Sequence, residues 1–443
     1  MKTIFLSLIV LTCSTARAQI NWESPIDVSD MTYGNRNPKI VLDNSGDPIV
    51  SWGNSSGDVY VSSWSGSNFN TPVIANSGYN AYIANNLGPD LASKGDTVYI
   101  VFKAEPVSSE HVYVARSFDG GLTFDLPVQV DDIGSGLSEF VHLAADDNGH
   151  PIVIFNRFDS GWSNPRWVLA RSNDFGGTFQ PDVLASNWSG GGTSVACECC
   201  PAAIATKGDT CLVAYRDNYN NIRDTWVGLS FNGGISFIGG MDVDQSGWYI
   251  QGCPTTGPDI EIQGDTVYST FMNAASGQSR VFYSKASISA GNGASATIIN
   301  DATPGLTIQN YPRISTDQNY GVIAWQQTVS GQSQVVVSTS LDLASGFPAS
   351  YSIVDGTSAY HPDIVIDGTT VHVVWRDSQS STVKYCKGQL SMADISNINL
   401  NNLNSKNEEI FDLMGRKTTI RRNEIQIIRK QNGEVEKRIV ILE

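Results

Sequence analysis

The sequence predicts an all-β chain folded as a seven-bladed β-propeller, and three observations carry that reading. Short alternating apolar runs recur between turn residues, and no amphipathic helix interrupts them. One sequence unit also repeats with a period of about fifty residues, the size of a four-stranded propeller blade.

The repeat begins with a short strand, usually led by proline, followed by a turn and a second strand rich in Val, Ile and aromatics. In chain order its copies start at Asn37-Pro38-Lys39-Ile40, Gly88-Pro89-Asp90-Leu91, Phe140-Val141-His142-Leu143, Cys200-Pro201, Gly257-Pro258-Asp259-Ile260, Tyr311-Pro312-Arg313-Ile314 and His361-Pro362-Asp363-Ile364. Second strands include Pro48-Ile49-Val50-Ser51-Trp52, Cys211-Leu212-Val213-Ala214-Tyr215 and Val371-His372-Val373-Val374-Trp375. The last copy stops after its third strand, near Cys386. Asn21-Trp22-Glu23-Ser24-Pro25-Ile26-Asp27-Val28 looks like the fourth strands Phe69 to Val73 and Phe124 to Val128. The N-terminal strand is therefore expected to complete the last blade and close the ring, leaving no bare sheet edge. A six-bladed ring is the alternative.

Both ends of the chain differ from this body. Residues 1–18 read as a secretory signal, with Lys2, an apolar run from Ile4 to Leu11, and Ala16-Arg17-Ala18 before Gln19. An apolar run of roughly ten residues is too short to span a bilayer. Residues 393–443 are more basic and read as short strands joined by turns, a small β-sandwich of their own. Residues 19–392 are left as the propeller. The formal net charge is −16, which disfavours nucleic acid and anionic membrane surfaces as partners.

Two family resemblances follow from motifs. Ser117-Phe118-Asp119-Gly120-Gly121-Leu122-Thr123-Phe124 and Ser172-Asn173-Asp174-Phe175-Gly176-Gly177-Thr178-Phe179 resemble the Asp box of sialidase-like propellers, and Ser230 to Phe237 is a weaker copy. Such a box braces a hairpin and implies the fold, not catalysis. Ile410-Phe411-Asp412-Leu413-Met414-Gly415-Arg416 and the closing Lys437 to Leu442 strand resemble the C-terminal sorting domain of the Bacteroidetes type IX secretion system. Together these resemblances imply export through the Sec pathway and then type IX secretion. The protein would be secreted or held at the cell surface, a monomer meeting the secretion machinery and a glycan.

Blade geometry puts the starts of first strands and the ends of second strands on one face. That face gathers Arg36, Arg157, Arg216 with Asp217, Arg376 and His361 as candidate substrate-binding residues, because guanidinium forks suit carboxylate or sulfate. Arg36-Asn37-Pro38 stands where the sialidase family has Arg-Ile-Pro, with Asn for Ile. The resemblance implies a tyrosine nucleophile paired with a glutamate. Tyr311 is the candidate nucleophile, and Glu139 or Glu198 its partner. No aspartate identifies itself as the acid.

Cys197-Glu198-Cys199-Cys200-Pro201 and Gly252-Cys253-Pro254 are the densest chemical feature, and with Tyr215 to Asn218, Ile222-Arg223-Asp224 and Gly247 to Gln251 they resemble a group of exported bacterial sialidase-like proteins. Disulfides, a zinc site of Cys197, Cys199, Cys200 and Cys253, and a reactive thiol beside Arg216 all remain open. No cofactor is expected with certainty. Cys211 and Cys386 are expected as buried free thiols. The leading expectation is a sialidase-like glycosidase on anionic glycans. The alternatives are a non-catalytic glycan-binding protein, or a polysaccharide lyase using His142 or His361 with Tyr311.

Overall fold

The computed structural model describes residues 18–392, except 85–86, 106–110, 132–135 and 294–295, together with three backbone strands of the tail. The expected secretory signal, residues 1–18, lies outside the described residues except for Ala18. The tail strands Glu409–Phe411, Glu424–Arg429 and Val435–Val440 pair antiparallel in one three-stranded sheet. The rest of the expected sandwich lies outside the described residues.

Residues 21–389 form one compact unit. It holds seven sheets, the number of blades the repeat called for rather than six. Blades I to VII have first and second strands Arg36–Leu42 and Pro48–Gly53; Asp90–Lys94 and Thr97–Glu105; Leu137–Ala145 and Pro151–Asp159; Ala203–Lys207 and Thr210–Asn218; Asp259–Gln263 and Thr266–Asn273; Leu306–Asp317 and Tyr320–Val329; Ala359–Asp367 and Thr370–Asp377. Each sheet is an antiparallel meander with its fourth strand outermost. Ile26 and Asp27 pair with Tyr385 and Lys384 as the outermost strand of blade VII, so the chain's start closes the ring. Asp27 adds an ion pair to Lys384 at 2.8 Å.

The second strand of every blade carries one large aromatic at the same register. Trp52, Phe102, Phe155, Tyr215, Phe271, Trp325 and Trp375 are all fully buried. They stack with Val and Ile between adjoining blades, in clusters such as Trp52 with Val50, Val374 and Tyr385. Each such ring contributes about 1.5–3 kcal/mol by burial, which is why the repeat is legible as a row of aromatics.

The hairpins that resemble Asp boxes are braced by side chains. Asp119 accepts from Thr123 N at 2.9 Å, and Asp174 from Thr178 N at 2.8 Å. In the third copy Asn232 does the same for Ser236 N at 3.0 Å. The hydrogen bonds hold the Asp174 carboxyl down at about 2. These turns join third to fourth strands at the outside of the blades, away from the axis.

Candidate active site at the axial mouth

The first strands line the axis, and four of them carry an unusual backbone at one residue. Asn37, Phe140, Tyr311 and His361 have φ of 49°, 50°, 52° and 49°. Each sits in a bulge where the first strand slips register against the second. A left-handed non-glycine residue costs about 1–2 kcal/mol, and three of these four precede proline, where extended backbone is the norm. Strain repeated around one mouth marks a place where side-chain aim outweighs backbone ease. The four residues line one hollow together with Lys39, His142 and Arg313.

Within this mouth, blades VI, VII and I bring four of the expected residues together. The rings of Tyr311 and His361 meet edge to face with centroids 4.5 Å apart. Burial, then the Arg376 and Arg313 guanidiniums, pushes the His361 imidazole down to about 4, so it is neutral above that pH. Burial raises the Tyr311 phenol, which keeps its proton. Burial and the adjacent Arg36 lower the pKa of Arg376. Arg36 donates to Ile83 O at 3.2 Å. Among the described residues, His361 Nδ1 and Arg376 Nε have no hydrogen-bond partner. A neutral base and a phenol thus line the hollow, with the Arg376 charge felt by His361 and the Arg36 charge felt by Arg376. That set suits a ligand carrying a carboxylate.

The other expected residues lie elsewhere on the ring. Glu139 is ion-paired to Lys103 at 3.7 Å on blades II and III, where Lys103 also lies over Tyr82 and Trp162. Arg157 pairs with Asp182. Glu198 pairs with Arg223 at 3.0 Å. Arg216 is fully buried, and its donors go to the carbonyls of Arg223 at 2.6 Å, Met272 at 2.7 Å and Thr256 at 3.4 Å, with Trp248 against its face. Asp217 is buried beneath Ser189, and burial raises its carboxyl to about 6. Tyr311 therefore faces a histidine, while Glu139 is engaged with Lys103 of blade II and Glu198 with Arg223.

The cysteine cluster lies between blades IV and V. Cys199 and Cys253 form a disulfide, and Cys197, Cys200, Cys211 and Cys386 are buried free thiols. Because that disulfide takes two of the four candidate zinc ligands, a tetrathiolate would require its reduction first. The hydrogen bond with Cys200 lowers the Cys197 thiol, aided by Arg223 and Arg216, whereas burial pushes Cys200 up.

No family model matches the chain, and no curated protein matches it. Among solved structures, an ulvan lyase solved with a GlcA(1-4)Rha3S ligand aligns at TM-score 0.53 and 14% identity, over 82% of this chain and 95% of that one. A protein of unknown function from Dyadobacter fermentans DSM 18053 aligns at TM-score 0.50 and 12% identity, over 84% and 99%. A mutant Trypanosoma rangeli sialidase with trans-sialidase activity aligns at 0.45 and 12%, over 85% and 60%. The likeness is one of fold.

Beneath the mouth lies a ring that the sequence reading passed over. The residue at one shared register of each first strand is Lys39, Asp90, His142, Ala203, Asp259, Arg313 and Asp363 in turn. Asp90 binds Lys39 Nζ at 2.9 Å and His142 Nδ1 at 3.1 Å, while Asp363 lies 3.6 Å from Arg313. Each ring aspartate also accepts from the next blade: Asp90 from Leu143 N, Asp259 from Ile314 N and Asp363 from Ile40 N. With no cation from Ala203, burial lifts Asp259 to about 6, and burial with Asp259 lifts Glu261 to about 8. The signal was visible in the repeat as a charged residue between the proline and the apolar residue of strands that are otherwise apolar.

Proposed function

We propose that this chain is a carbohydrate-active propeller that takes an acidic polysaccharide at its axial mouth and cleaves it by β-elimination. The observation that carries the reading is the Tyr311–His361 contact beside Arg36 and Arg376. The guanidiniums would hold a uronate carboxylate and so acidify the proton on the adjoining carbon. Neutral His361 takes that proton, and Tyr311 gives its phenolic proton to the departing glycosidic oxygen. A carbon–carbon double bond forms as the carbon–oxygen bond breaks. The chemistry of the ulvan lyase neighbour, whose ligand contains a glucuronate, is in keeping with this. A glycosidase would need a carboxylate near Tyr311, and the carboxylates expected there are paired to Lys103 and Arg223.

We further propose that the protein works outside the cell, the N-terminal signal and the C-terminal tail serving as export addresses. The Cys199–Cys253 disulfide suits an oxidising compartment.

The test is a panel of uronate-containing and sulfated polysaccharides, with ultraviolet absorbance and mass spectrometry of products. Unsaturated oligosaccharides are expected. Saturated products with new reducing ends would replace elimination by hydrolysis, and tight binding without product would make the chain a lectin.

A further inference from the structure

We propose that the four cysteines between blades IV and V form a thiol–disulfide exchange site for small-molecule disulfides, in which a buried pair and a surface-reaching pair trade one disulfide. Cys197 Sγ lies 2.8 Å from Cys200 Sγ and 3.6 Å from Cys199 Sγ, and Cys199 Sγ lies 3.9 Å from Cys200 Sγ. Every sulfur of the Cys197–Cys200 stretch is thus within reach of the next without any strand moving. Exposure runs in one direction through the group. Cys253 is exposed, Cys199 half-buried, and Cys197 and Cys200 fully buried. Arg216 and Arg223 place positive charge beside Cys197, where a thiolate would form. Cys211 and Cys386 are buried too, but among the described residues neither has a sulfur neighbour of this kind.

The exchange balances within the protein. Cys197 loses its proton and attacks Cys199 Sγ, the Cys199–Cys253 bond breaks, and Cys253 leaves as a thiolate that takes a proton at the surface. Cys200, deprotonated in turn, attacks Cys197 Sγ. The Cys197–Cys200 bond forms and Cys199 leaves and is protonated. Two protons are lost and two gained, and no electron enters. The Cys199/Cys253 dithiol can then reduce a small disulfide to two thiols and return to the disulfide form. The site therefore carries two electrons from a buried dithiol to an external disulfide of the glutathione class. This inference is independent of the reaction proposed for the axial mouth.

The test uses the full chain, folded and without reductant. N-ethylmaleimide is added, the protein is acid-quenched, and peptides are mapped by mass spectrometry. The expected result is label on Cys253 and Cys199, with Cys197 and Cys200 joined. Cys197→Ser should cut the Cys253 label at least tenfold, and Cys211→Ser should leave it unchanged. An intact Cys199–Cys253 link with no Cys253 label at any time would overturn the proposal. So would four unlinked thiols in freshly isolated protein, which a metal site predicts. Should Cys197→Ser fail to fold, the linkage map of the unmodified chain decides alone.

Discussion

The imidazole of His361 stands edge-on to the ring of Tyr311, with centroids 4.5 Å apart and planes at 84°. The two residues sit at the bulges of the first strands of neighbouring blades, and both hold a left-handed backbone there. Replacing Tyr311 with Phe removes only the phenolic proton, and His361→Gln removes the base. Each is expected to lower kcat on an acidic polysaccharide by about 10²–10⁴-fold. Thermal melting should stay within a few degrees of the parent, because neither side chain belongs to the fully buried row of second-strand aromatics. Unchanged product formation in both variants would reject the site.

The same geometry sets a pH dependence. Burial and the two guanidiniums hold His361 at about 4, so the neutral form needed to accept a proton persists down to that pH. The acidic limb of kcat/KM should therefore lie near 4, activity being lost as pH falls through it. Arg376→Ala removes one of the repelling charges and should move the limb upward. It should also raise KM for a carboxylate-bearing substrate, since a guanidinium facing the ligand is gone. A limb that stays in place in this variant would separate Arg376 from His361.

How far the sequence reached follows from what repeats. Trp52, Trp325 and Trp375 recur at one register because every blade must fill the same gap, so blade number and ring closure were readable. Arg36, Arg376, Tyr311 and His361 were placed on one face by strand polarity alone. Pairing between side chains was not readable, because it depends on which blade lies beside which and on rotamers. Arg216 illustrates this: as a guanidinium at a second-strand end it looked like Arg376, yet it turns into the blade IV–V interface and is consumed by backbone carbonyls. Asp90 and Asp363 were in view as parts of the repeat, but their role as ties between blades appears only once the ring is closed.

Arg216 yields a prediction of its own. Its removal leaves the carbonyls of Arg223 and Met272 without their donor inside the protein. Arg216→Ala is expected to destabilise the fold by about 3–5 kcal/mol, read as a lowered denaturant midpoint. Arg36→Ala should leave that midpoint nearly unchanged, since Arg36 is only half-buried at the mouth. The two arginines would thus separate into one that holds the fold and one that meets the ligand.

The axial ring makes stability respond to pH through Glu261. Half-buried below the mouth and next to Asp259, its carboxyl keeps its proton up to about 8, whereas in the unfolded chain it ionises near 4.5. Between those values unfolding releases a proton, so this group's contribution is present in mild acid and lost as pH rises towards 8. Asp90 works in the opposite sense. Lys39 and His142 hold its carboxyl far below the usual range, so its stabilisation persists at every neutral pH and does not mask the effect. Glu261→Gln keeps the shape and the hydrogen-bonding amide but cannot ionise. At pH 8 and above it should exceed the parent by about 1–2 kcal/mol, allowing for water in the hollow beside it. At pH 5 the two should melt together. Equal pH profiles from 5 to 9 would mean that Glu261 is ionised in the folded protein and that the ring tolerates its charge.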